Sequence, residues 1–124
     1  RDIHIITLPE MYLVAAEAYL KAGDNIKALA RLNEVHQRAG LAALTGTITI
    51  DNILDESVCE NFGNCARWMD LRRTKTLVEH CTKYNYEMGD KAAQYIGEKL
   101  LRPIPQAAID ANDQLSAADQ NPGY

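Results

Sequence analysis

The densest run of side chains able to do chemistry is Arg67-Trp68-Met69-Asp70-Leu71-Arg72-Arg73. Trp68 offers a flat face on which a sugar ring could stack, and Asp70 and Arg73 could bond its hydroxyls. The same spacing has a structural reading. Asp70 stands three residues from both Arg67 and Arg73, so the charges form a network along one helix side with Trp68 in the core. The structural reading takes precedence for Arg67, Trp68, Asp70 and Arg73. Tyr84, Tyr86 and Tyr95 are the candidates for ligand or partner contact, because they fall where helical patterning is weakest and loops on a rigid scaffold carry binding residues. Packing of that region onto the helices is the competing use of the same rings.

No catalytic or metal constellation emerges. Cys59, Cys65, His80 and Cys81 match no common zinc spacing. A cysteine nucleophile needs a base and an orienting group beside it, and nothing in the sequence links His4, His36 or His80 to a thiol. Glu10 with Glu17 and Glu56 with Glu60 are carboxylate pairs at helical spacings. A solvated face or a cross-helix ion pair explains them better than acid–base work. The seven glycines are scattered and form no phosphate loop. No cofactor is implied, and the chain reads as a non-enzyme.

The bulk properties narrow the class further. The chain has 124 residues, 47% of them hydrophobic and 24% charged, with a net charge of −4. These are globular values for one domain spanning residues 1–124. The acidic balance gives no footprint for nucleic acid. No run approaches the length of a membrane span. The odd cysteine count favours unpaired, core-type thiols over a disulfide framework.

The elements that must position these residues are helical. Thr7 and Glu10 have capping-box spacing, Pro9 suits a first turn, and residues 8–22 form a helix ended by Gly23. Its Met11, Ala15, Ala18 and Ala22 make one stripe, with Tyr12, Ala16 and Tyr19 beside it. Asp24 or Asn25 caps a second helix over residues 25–39 whose apolar stripe is Ile26, Leu29, Leu32 (or Ala30 and Asn33) and Val35. The short Gly-Asp joint makes the pair an antiparallel hairpin. A loop leads to a third helix over 52–61, capped by Asp51, with Ile53, Leu54, Val58 and Phe62 inward. A fourth helix spans 66–80, with Trp68, Leu71, Leu77 and Val78 inward. Beyond Cys81 the chain is irregular: residues 91–99 are extended or a short helical turn. Pro103-Ile104-Pro105 is extended, and Pro105 opens a short turn to Ala111. The expected fold is all-α, a hairpin plus two further helices and a long irregular C-terminal segment.

Three blocks, in order, resemble the C-terminal part of the SusD/RagB family of nutrient-binding outer-membrane lipoproteins. The first is residues 8–18, LPEMYLVAAEA, followed by Leu32-Asn33-Glu34-Val35 and Arg38-Ala39-Gly40-Leu41. The second is Ile53-Leu54-Asp55-Glu56, Glu60 and the run from Arg67 to Arg73. The third is Pro103-Ile104-Pro105-Gln106, Ile109-Asp110-Ala111-Asn112 and Gln120-Asn121-Pro122-Gly123-Tyr124. The sequence departs from the family's habit at Ser57, Asn61, Asn64 and Cys65, and at Thr7. The first hairpin also looks like one tetratricopeptide unit, with Ala16, Ala18, Tyr19, Gly23, Asp24 and Ala28 at that pattern's spacing.

The resemblance implies a non-catalytic role: capture of glycans or other nutrients at the cell surface and delivery to a TonB-dependent outer-membrane transporter of the SusC type. It implies attachment to the outer membrane by a lipid anchor on a segment preceding Arg1, with Tyr124 as a native C-terminus. An exported location leaves a Cys59–Cys65 disulfide open beside free thiols. The alternative is a tetratricopeptide-like protein–protein interaction module without a sugar ligand.

Overall fold

The structure is a computed structural model and describes residues 6–64, 66–97 and 99–124. Among these the chain is helical and contains no strand. Its α-helices are α1 (Leu8–Lys21), α2 (Asn25–Arg38), α3 (Ile50–Glu60), α4 (Arg67–Arg73), α5 (Leu77–Tyr84), α6 (Ala92–Gly97) and α7 (Gln106–Asp110). Short 3-10 turns lie at Gly89–Lys91 and Ala117–Asp119. None of the described helices is long and apolar enough to cross a membrane. The chain divides into two compact units, Arg1–Asp70 and Leu71–Tyr124.

In the first unit α1 and α2 form the expected antiparallel hairpin, and α3 packs against both. Thr7 and Glu10 form the capping box of α1, and Gly23 turns the corner at φ 81°. Gly23 N–H bonds Leu20 C=O and Asp24 N–H bonds Tyr19 C=O, the paired bonds of a Schellman end. Asp24 then caps α2, its carboxylate accepting from Lys27 N–H at 3.0 Å. The core gathers Leu13, Ala16, Ala28, Leu32, Val35, Ile48 and Ile53. Ala16 and Ala28 are fully buried, so they permit the close crossing of the two helices.

The buried faces differ in part from the sequence expectation. On α1 the core side carries Leu13, Ala16 and Glu17, whereas Met11, Ala18 and Ala22 are exposed and Ala15 is half-buried. The expected stripe is offset by two residues from the true one, which on a helix is nearly the opposite side. Apolar residues surround most of α1, so periodicity alone does not select a face. On α2 Leu32 and Val35 are buried as expected, together with Ala28, Leu29 packs on the core, and Ile26 in the first turn is 83% exposed. Thr49, not Asp51, caps α3, through a capping box with Asn52. Phe62 is 88% exposed, because α3 ends at Glu60 and Gly63 takes φ 89°, which breaks the register that would align Phe62 with Val58.

Two asparagines of α2 hold the following loop. Asn33 bonds both backbone groups of Leu44, at 3.0 and 2.8 Å. Asn25 donates to Gly46 C=O and accepts from Ile48 N–H, both at 3.0 Å. Each side-chain amide thus substitutes for a backbone partner and seats Ile48 in the core.

The expected fourth helix over 66–80 is two helices. α4 stops at Arg73 and α5 starts at Leu77. Thr76 N–H bonds Leu71 C=O and Lys75 N–H bonds Arg72 C=O, a Schellman end with Lys75 in the left-handed position at φ 62°. No Gly or Pro announces this stop. In the second unit α5, the Gly89–Lys91 turn and α6 pack together, burying Leu77, His80, Ala92 and Ile96. Residues 92–97 are thus the helical option of the two left open by the sequence. Pro105 precedes α7, as its extended dipeptide requires. Gln120 bonds both backbone groups of Ile104, at 2.8 and 3.0 Å, and Asn121 donates to Arg102 C=O at 2.6 Å.

Candidate functional site

Tyr84, Tyr86 and Tyr95 fall on one small helical assembly in the second unit. Tyr84 is the last residue of α5 and 55% exposed. Its ring meets the buried His80 ring at 5.4 Å between centroids, and Lys83 Nζ lies 4.8 Å from its centroid. The His80 contact fixes one end of the ring while the remainder faces solvent. Tyr86 sits in the turn after α5 at 93% exposed, its hydroxyl donating to Glu87 at 3.3 Å. Asn85 shapes that turn: its side-chain oxygen accepts from Glu87 N–H and Met88 N–H at 3.1 and 3.2 Å. Tyr95 stands on α6, exposed like Tyr84. No ring contact joins the three among the described residues. Solvent-facing aromatic rings beside hydroxyl and ammonium groups suit ligands that present both C–H faces and hydroxyls.

The Arg67 to Arg73 run is placed differently from its expectation at one residue. Trp68 is 40% exposed and not in the core. A seven-residue helix buries little, and Leu71 takes the inward place. Arg67 donates to Leu54 C=O of α3 at 2.7 Å, which ties the start of α4 to the middle of α3. Asp70 and Arg73 each have interaction partners.

One histidine and two carboxylates join helices. His36 Nδ1 donates to Glu56 Oε2 at 2.7 Å, and Arg38 bonds both oxygens of Glu60. These two pairs join α2 to α3 side by side: Glu60 forms a cross-helix ion pair and Glu56 a cross-helix hydrogen bond. Glu10 closes the α1 capping box, and the buried Glu17 pairs with Lys21. Cys59 and Cys81 are free thiols. Cys59 therefore carries no disulfide, and Cys65 and His4 lie outside the described residues. Among the described residues no three His, Cys, Asp or Glu side chains gather as a metal site would require. Two carboxylates in capping interactions are perturbed: Asp24 and Asp119 are held below the usual carboxylate value by hydrogen bonds from Lys27 and Ser116 respectively.

Phe62 is the aromatic that sequence patterning misses. It rims a cavity of about 360 Å³ in the first unit, lined also by Ser57, Val58, Asn61, Gly63, Ala66 and Arg67. Ser57 and Asn61 are two of the positions at which the sequence departs from the resembled family. The signal available in the sequence was Gly63-Asn64, a helix stop directly after Phe62.

Against known proteins, the model of the SusD family matches residues 1–124. The chain belongs to the SusD family. Within it, the starch-binding protein SusD of Bacteroides thetaiotaomicron is 30% identical over 124 residues, covering 99% of this chain. The chain spans 22% of the length of that relative. No solved structure matches it. Glu56 and Glu60 of α3 bond to α2, Arg67 to the α3 backbone, and Gln120 and Asn121 to the Arg102 to Ile104 segment.

Proposed function

We propose that the protein captures nutrient glycans at the outer-membrane surface and delivers them to a TonB-dependent transporter of the SusC type, without cleaving them. Family membership over residues 1–124 carries this reading. The relative is a starch-binding protein, so starch-derived oligosaccharides are the first ligand class to test. Attachment to the membrane belongs to the same proposal, through a lipid anchor outside these 124 residues. Tyr84, Tyr86 and Tyr95 are proposed to contact glycan or partner, since all three rings are exposed and Tyr84, partly held by His80, loses little entropy on stacking.

The test is calorimetric titration of the whole protein with starch oligosaccharides of increasing length, beside Tyr84→Ala, Tyr86→Ala and Tyr95→Ala. Binding that strengthens with chain length is expected. Each substitution at a contacting ring should weaken it about 3- to 10-fold, the worth of one aromatic stacking contact. Wild-type binding untouched by all three substitutions would dismiss these tyrosines as ligand contacts. A transporter co-purifying from detergent-solubilised outer membrane is expected, and its absence would count against delivery.

A further inference from the structure

The second unit holds a separate cleft of about 290 Å³. The buried Leu71 and Leu77 and the part-exposed Leu100 and Leu101 line it. Two cations, Arg72 and Lys75, line it as well, and no carboxylate does among the described residues. Neither cation has an ion pair among the described residues. Elsewhere Lys21, Lys27 and Arg38 have acidic partners. Lys75 holds its place through a left-handed backbone at φ 62°, a position that glycine ordinarily fills. An unfavourable residue kept at a cleft wall, with its charge unused, is the pattern expected where the side chain serves a ligand.

We infer that this cleft binds a small amphipathic carboxylate, an anion with a short hydrocarbon body. The leucines would take the hydrocarbon, and Arg72 with Lys75 would neutralise and hydrogen-bond the carboxylate. The charge complementarity is specific: a neutral sugar would leave both cations unanswered, and a bare anion would leave the leucines in water. This site is independent of the tyrosines and of glycan capture.

Octanoate, octanol and acetate separate the contributions, titrated calorimetrically into the whole protein at neutral pH and low salt. Octanoate is expected to bind at one site, with octanol and acetate each weaker by about ten-fold or more. Arg72→Gln and Lys75→Gln alter surface charges without touching the core. Each should weaken octanoate several-fold, and together they should abolish the advantage over octanol. Raising the salt concentration should weaken octanoate and leave octanol unchanged. Octanol binding as tightly as octanoate would reduce the site to an apolar crevice. Acetate matching octanoate would reduce it to surface attraction. Either result overturns the inference, as does octanoate binding that is absent or indifferent to the double substitution.

Discussion

Lys75 shows how one residue can decide where a helix stops. A non-glycine residue in the left-handed region costs about 1 kcal/mol or more, yet its N–H and that of Thr76 close α4 with two backbone bonds. Lys75→Gly should therefore raise stability by about 1 kcal/mol, read as a higher urea midpoint at constant slope. An unchanged or lower midpoint would mean that the residue does not occupy this conformation in solution. Asp24 offers a second test at this scale. Hydrogen bonds from the Lys27 side chain and backbone hold its carboxyl below 3.8, and the same pair raises Lys27 above 10.5. The contribution of Asp24 is complete above its ordinary value and is lost as pH falls through the lowered one. That of Lys27 is complete below its ordinary value and is lost as pH rises through the raised one. A carbon-detected NMR titration should place Asp24 below 3.8, and Lys27→Met should move it back upward. An Asp24 midpoint indifferent to that substitution would dismiss the pair.

At the scale of elements, legibility tracked the strength of local signals. The α1–α2 hairpin was readable because Thr7, Glu10, Gly23 and Asp24 each have one inexpensive role, and the chain uses all of them. The break at Lys75 was not readable, since its residue type argues for helix and only the backbone bonds reveal the stop. The inward face of α1 was misread because a helix apolar on most sides must be oriented by its neighbours. The loop after α2 gave no sign of its order, which comes from two asparagine side chains acting at long sequence range. Asn33→Ala leaves both backbone groups of Leu44 without that partner. It should cost about 1 to 3 kcal/mol and speed amide exchange across residues 42–48. Stability and exchange equal to wild type would show that the loop is held by burial of Ile48 alone. The candidate tyrosines were legible by type and by their weakly patterned surroundings, whereas Phe62 was hidden by a periodicity that stops one residue too early for it.

For the molecule as a whole, separated segments are joined by side-chain contacts at long sequence range. Glu56 and Glu60 meet His36 and Arg38, so α3 and the hairpin are tied together. Gln120 pairs with Ile104 and Asn121 with Arg102, so the tail and the proline segment are one structure. These contacts shape a scaffold whose exposed aromatic rings remain available, which fits a protein that binds and releases. The most direct measurement is a glycan-array screen of the whole protein, followed by calorimetry and product analysis on each ligand found. The expected result is binding to starch-type or related glycans with every glycan recovered intact. Binding to no glycan, or recovery of cleaved product, would contradict the proposed role.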